Sequence, residues 1–144
     1  MTLGTFAVIL SMRRPDGMVE EISDLAGLAR SNPPLAFFLA LLLFSLAGIP
    51  PLAGFFAKYY VFLAAIQAGL YGLAVVGVLA SVVGAYYYLA IVKVMYFDEP
   101  VAPFEPMPRA LKIVLGITGV FVILFFAYPS PLVGAAAAAA KSLF

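Results

Sequence analysis

The sequence predicts an all-α protein: a polytopic transmembrane helix bundle with one discontinuous, proline-broken helix, made of three full spans and a partial one at the start. Three observations lead there. Of its 144 residues, 65% are hydrophobic and 10% charged, and the mean hydropathy is +1.13, whereas a soluble domain carries about 25% charged residues. The apolar runs are too long for barrel strands and lack their period-two alternation. The longest run, Leu35 to Gln67, contains Pro50–Pro51 near its middle and has Lys58 as its single charge.

The elements follow in order. Residues 1–12, MTLGTFAVILSM, are apolar but too few to cross a bilayer, which takes roughly 20 residues as one helix. They read as the end of a helix whose beginning lies outside the sequence, a short tilted anchor being the alternative. Pro15–Asp16–Gly17 is a turn signal. Over 19–30 the apolar residues fall on one helical face, which predicts an amphipathic helix lying at the membrane surface. Glu20, Glu21 and Asp24 read as its solvated face. Asn32–Pro33–Pro34 then opens the broken helix of 35–67. Two adjacent prolines remove two backbone donors and clash with the preceding turn, so this run divides into Leu35–Ile49 and Leu52–Gln67, with Gly48 and Gly54 flanking the break. Residues 71–97 form the next span; its small residues allow close helix packing. The segment 98–109, with four prolines and three acids, reads as an extended exposed loop. Residues 110–128 are the last span, and the Ala-rich tail, 132–144, is helix-prone but short, lying at the interface or against a neighbour.

Arg13, Arg14, Arg30, Lys93, Arg109 and Lys112 flank the 13–34 and 98–109 loops, against Lys141 at the other side. By the bias of basic residues, both loops belong on the cytoplasmic or matrix side. The chain has no cysteine and no histidine, so thiolate and imidazole metal sites, haem ligation by histidine, iron–sulfur clusters and histidine-dependent triads are excluded. No cofactor in this chain is expected. A net charge of +1 offers nothing to nucleic acid; the expected surroundings are lipid, water and protons.

Irregular backbone at membrane depth is tolerated only inside protein or beside a water-filled cavity, and helix breaks are where transporters place their sites. An ionisable residue close to such a break is a functional candidate. Lys58 is therefore the proposed proton-transfer residue, with Gly48, Pro50, Pro51 and Gly54 as the break that admits water. Desolvation disfavours a charged ammonium, so an amine placed there can exchange its proton according to what approaches. The alternative is a snorkelling lysine, but Lys58 lies nine residues from the end of the run, about 13 Å of helix. No acidic residue occurs between Asp24 and Asp98, so any proton partner of Lys58 comes from outside this chain. Lys93, near the end of its span, and Tyr86 and Tyr87 are secondary candidates. Snorkelling and packing are their plainer readings.

The motif SLAGIPPLAGFFAKYY at 45–60, with VEEISDLAGLAR at 19–30 and GAYYYLAIVKVMY at 84–96, resembles the antiporter-like subunits of respiratory complex I, the proton-pumping NADH:quinone oxidoreductase. The likeness runs through nearly the whole chain. It implies a match to the last part of a protein of about fourteen helices in two inverted repeats. It also implies that Lys58 stands where the family places the lysine of its second broken helix. A lysine there leans towards the N and L types rather than M, and the short tail argues against L. The resemblance further implies membership of an NADH:quinone oxidoreductase in the bacterial inner or mitochondrial inner membrane, with the other membrane subunits as partners and no redox centre in this chain. Membership of a cation/proton antiporter complex, or a purely structural membrane role, are the alternatives.

Overall fold

A computed structural model describes residues 1–15, 17–19, 21–50 and 52–142. Among the described residues, seven α-helices make up the bundle: α1 (Thr2–Ser11), α2 (Leu28–Ser31), α3 (Pro33–Ala47), α4 (Ala53–Gln67), α5 (Tyr71–Phe97), α6 (Arg109–Ala127) and α7 (Ser130–Lys141). Among the described residues, α5 and α6 are each long and apolar enough to cross a membrane. With 15 residues apiece, α3 and α4 are each about 22 Å long, short of the roughly 30 Å hydrocarbon core. One crossing needs both.

The centre of the bundle is α3, which packs against α1, α2, α4, α5 and α6. Its sequence explains its start: Asn32 Oδ1 accepts from the Leu35 N–H at 3.4 Å, and prolines occupy its first turn, where a missing N–H costs nothing. It buries Leu35, Ala36, Leu39, Ala40, Leu42, Leu43, Ser45 and Ala47, well over half of its circumference, while Phe37 on the remaining face is exposed. The contrast with α4 is sharp, since α4 buries Gly54 alone. Phe38 of α3 lies over Gly119 of α6, and Phe62 of α4 over Gly77 of α5; in both places a small residue makes room for a ring.

The 19–30 segment departs from the expected amphipathic helix. It forms one 3-10 turn, Ile22–Leu25, and the single helical turn of α2. The interruption is Gly27, at φ +64, a left-handed conformation that costs other residues about 1–2 kcal/mol. Its N–H donates to the Val94 carbonyl at the end of α5, at 3.2 Å, and a side chain at this position would run into the Pro100 backbone. Apolar periodicity is blind to such a contact between distant segments. Glu21 is exposed, but Asp24 is largely buried in an ion pair with Arg14 and is not part of a solvated face; Glu20, like Asp16, lies outside the described residues.

The 98–109 loop is extended, as expected, but it is fastened down. Val101 N–H donates to Ala26 O at 3.3 Å and Glu105 N–H to Arg13 O at 2.9 Å. Arg14 is held against Asp24 by a 2.9 Å ion pair, and its guanidinium lies over the Phe104 ring, 5.4 Å from the centroid. Arg13–Arg14 pairs with Gly17–Met18 in a minimal antiparallel hairpin, a feature the apolar pattern did not signal. The 13–34 and 98–109 segments therefore share one end of the bundle. The last helix begins at Ser130, with Pro131 in its first turn, and buries none of its residues. It flanks an apolar groove of about 490 Å³ with α4 and α6.

Replacing Gly27 by alanine is expected to lift the proline-rich loop off α2, through backbone strain and the collision with Pro100 together. Limited proteolysis of membranes should then show faster cleavage within 98–108 than in the wild type, and equal cleavage rates would contradict the contact described.

Candidate functional site

Where α3 stops, its terminal carbonyls lose their helical donors. Gly48, at φ +85, turns the chain: its N–H donates to Ser45 O and the Ile49 N–H to Phe44 O, both at 3.1 Å, the bond pair of a Schellman turn. These bonds leave the Ala47 carbonyl free. Lys58 takes it, with Nζ donating to Ala47 O at 2.8 Å. The reach follows from helix geometry. Long side chains on a helix lean towards its N-terminus, so a lysine one turn beyond Gly54 leans back over the break. Its positive charge then sits at the negative end of the α3 dipole.

The other side of the break has the complementary deficit. The first N–H groups of α4 have no intrahelical partner, and that of Gly54 donates to Ser45 Oγ at 3.2 Å. Ser45 is fully buried. A Cβ at position 54 would run into the Ser45 carbonyl oxygen, so α4 starts beside the last turn of α3 rather than after it. Gly48 is needed twice over: beyond its left-handed backbone, a Cβ there would lie 2.8 Å from Lys58 Cδ. Leu52 N–H returns to Ile49 O at 3.1 Å, closing the connection. Pro50 is exposed; Pro51 lies outside the described residues.

Lys58 is half-buried and opens onto a groove of about 460 Å³ between the break, α4 and α5. Tyr59 and Ser81 bring hydroxyl-bearing side chains to this groove, with Ile49, Phe62 and Val78 among the apolar ones. The secondary candidates are not brought to it. Lys93 pairs with Asp98 at 3.3 Å in a largely exposed contact, of the kind worth little. Tyr86 and Tyr87 face outwards from α5, and Tyr87 packs edge-on against Tyr88. Among the described residues, no group of histidine, cysteine or acidic side chains is placed to hold a metal. Ser45 was not singled out by sequence reasoning. The only signal for it was a hydroxyl in an otherwise apolar helix, three residues before the turn glycine.

The transmembrane family described as NADH:quinone oxidoreductase/Mrp antiporter matches residues 1–84, which take in α1 to α4 and the first half of α5. The chain belongs to this family. It is similar to NADH-quinone oxidoreductase subunit N of Parvibaculum lavamentivorans, 63% identical over 99% of this chain and 30% of the relative. The subunit N of Azorhizobium caulinodans is 67% identical over 100% of this chain and 30% of that protein. Among solved structures, respiratory complex I from Thermus thermophilus with bound Aureothin contains a chain of similar fold. Its TM-score is 0.74 at 33% identity, over 88% of this chain and 30% of that one. The chain thus spans about 30% of the length of the relatives it matches. An antiporter-like membrane helix bundle, with its discontinuous helix, is the fold that the sequence predicted.

Gly54→Ala forces the two half-helices apart, whereas Gly48→Ala strains one residue and displaces a flexible side chain. Gly54→Ala is therefore expected to cost the assembled subunit more thermal stability than Gly48→Ala, and Lys93→Gln to change it within about 0.5 kcal/mol. Thermal inactivation of membrane extracts ranks the three.

Proposed function

We propose that this chain is part of a proton-translocating, antiporter-like subunit of NADH:quinone oxidoreductase, with Lys58 as a proton-transfer site. One observation carries the reading: the ammonium is held on the open carbonyl of a broken helix, 2.8 Å from Ala47 O, where a groove reaches it. Relatives more than 60% identical across the chain carry that subunit's name, which supports this reading over membership of a cation/proton antiporter complex, the other activity in the family's description. Co-purification with NADH dehydrogenase subunits separates the two.

The chemistry follows from the bond. Protonated, Lys58 makes a charge-assisted hydrogen bond to Ala47 and is drawn to the helix end. Deprotonated, the amine still has N–H groups to donate but loses the charge assistance and the pull of the helix end, so it is held more weakly and can turn into the groove. Each proton exchange thus changes what holds the two half-helices together. The next proton carrier lies on another part of the membrane arm, because no carboxylate occurs between Asp24 and Asp98. The energy comes from redox chemistry elsewhere in the complex and reaches this site as electrostatic and conformational change. The remaining membrane subunits and lipid are its partners, water and protons its small ligands. The site lies in the bacterial inner membrane, with the 13–34 and 98–109 loops on the cytoplasmic side.

Lys58→Met and Lys58→Arg divide capping from proton exchange. Arginine can donate to the Ala47 carbonyl but does not give up its proton. In the intact complex, Lys58→Arg should assemble normally and still translocate fewer protons per NADH oxidised, while Lys58→Met should lose stability as well. A leftover unpaired buried carbonyl costs about 1–3 kcal/mol. A wild-type pumping ratio in both variants would remove Lys58 from the proton path.

A further inference from the structure

We propose that Ser45 is the positioning residue of the broken helix: its hydroxyl fixes where α4 starts and how it is rotated, and so holds Lys58 on the Ala47 carbonyl. This inference rests on the reading of Lys58 as the proton-transfer site. Three observations support it. First, the Ser45 hydroxyl is completely buried in an apolar helix, a placement that costs free energy unless the group is hydrogen-bonded. It accepts from Gly54 N–H at 3.2 Å, while its hydrogen is directed at Met1 Sδ at 2.6 Å, a weak acceptor. Accepting from α4 is its strong contact. Second, among the described residues, Ser45–Gly54 and Lys58–Ala47 are the two side-chain hydrogen bonds that join α3 to α4. Third, Gly54 and Lys58 are four residues apart and so lie on one face of α4, the face turned to the end of α3. Fixing one fixes the other.

The sensitivity of this arrangement can be estimated. Side chains of a helix end about 5–6 Å from its axis, so rotating α4 by about 20° carries Nζ by about 2 Å. That lengthens the 2.8 Å bond to Ala47 beyond hydrogen-bonding range. The Gly54 amide is the anchor that resists the rotation, and the room beside it is tight enough that a Cβ at Gly54 would run into the Ser45 carbonyl. Ser45 therefore acts through Lys58 and not on the proton itself.

The test uses the intact respiratory complex in membrane vesicles, with assembly measured alongside protons translocated per NADH oxidised. Ser45→Ala is expected to lower the ratio by about two- to tenfold while uncoupled NADH oxidation and the amount of assembled complex stay near wild type. Ser45→Thr, which keeps the hydroxyl, should retain most of the ratio. Adding Ser45→Ala to Lys58→Met should lower it no further, since a positioning residue has nothing left to position. A wild-type ratio in Ser45→Ala, an equal fall in Ser45→Thr, or multiplied losses in the double variant would each overturn the proposal. If Lys58→Met itself pumps normally, the proton-transfer reading fails, and Ser45 is then judged by labelling. Because this chain has no cysteine of its own, a Lys58→Cys variant can be labelled within it, and it should react with a water-soluble thiol reagent about two- to tenfold faster when Ser45→Ala is added. Equal rates would show that Ser45 does not set the position of residue 58.

Discussion

The cost of an open backbone inside an apolar bundle governs this molecule. Breaking a helix strands carbonyls on one side and amides on the other, and in hydrocarbon each stranded group costs several kcal/mol. The chain answers with two side chains that cross the gap in opposite directions. Ser45 belongs to α3 and serves α4; Lys58 belongs to α4 and serves α3. Neither half-helix is complete without the other. A discontinuous element can persist here because the discontinuity is itself bonded.

This arrangement makes a charged residue structurally useful and chemically conditional. A permanent cap would be met as well by arginine or by a backbone turn. In the proposed role, lysine differs in that its capping strength depends on whether it holds a proton, which would tie the joint between the half-helices to the occupancy of one site. The central helix is ill-suited to movement, packed as it is against five other helices. The compliance lies in α4, which buries a single glycine and stands against an open groove on either side.

Much of this was legible in the chain. Prolines, glycines and run length located the break, and the α5 limits were those of the apolar span. Lys58 stood out because it is the one charge in a long apolar stretch. What escaped the sequence was long-range contact. Gly27 interrupts the predicted surface helix because Val94 and Pro100, far along the chain, press on it. The proline-rich loop looked free because nothing in its composition reveals that Arg14 will lie over Phe104. Ser45 went unnoticed because its partner is a backbone N–H nine residues away, and main-chain donors leave no mark in a sequence.

The fastening of the proline-rich loop has a mechanical consequence. With Arg13 and Arg14 stitched to 104–105, and Ala26 and Gly27 to Val101 and Val94, the ends of α1 and α5 are tied together through the two loops. The seam between α3 and α4 lies half a crossing deeper, about 22 Å along α3, and is joined by two side-chain hydrogen bonds.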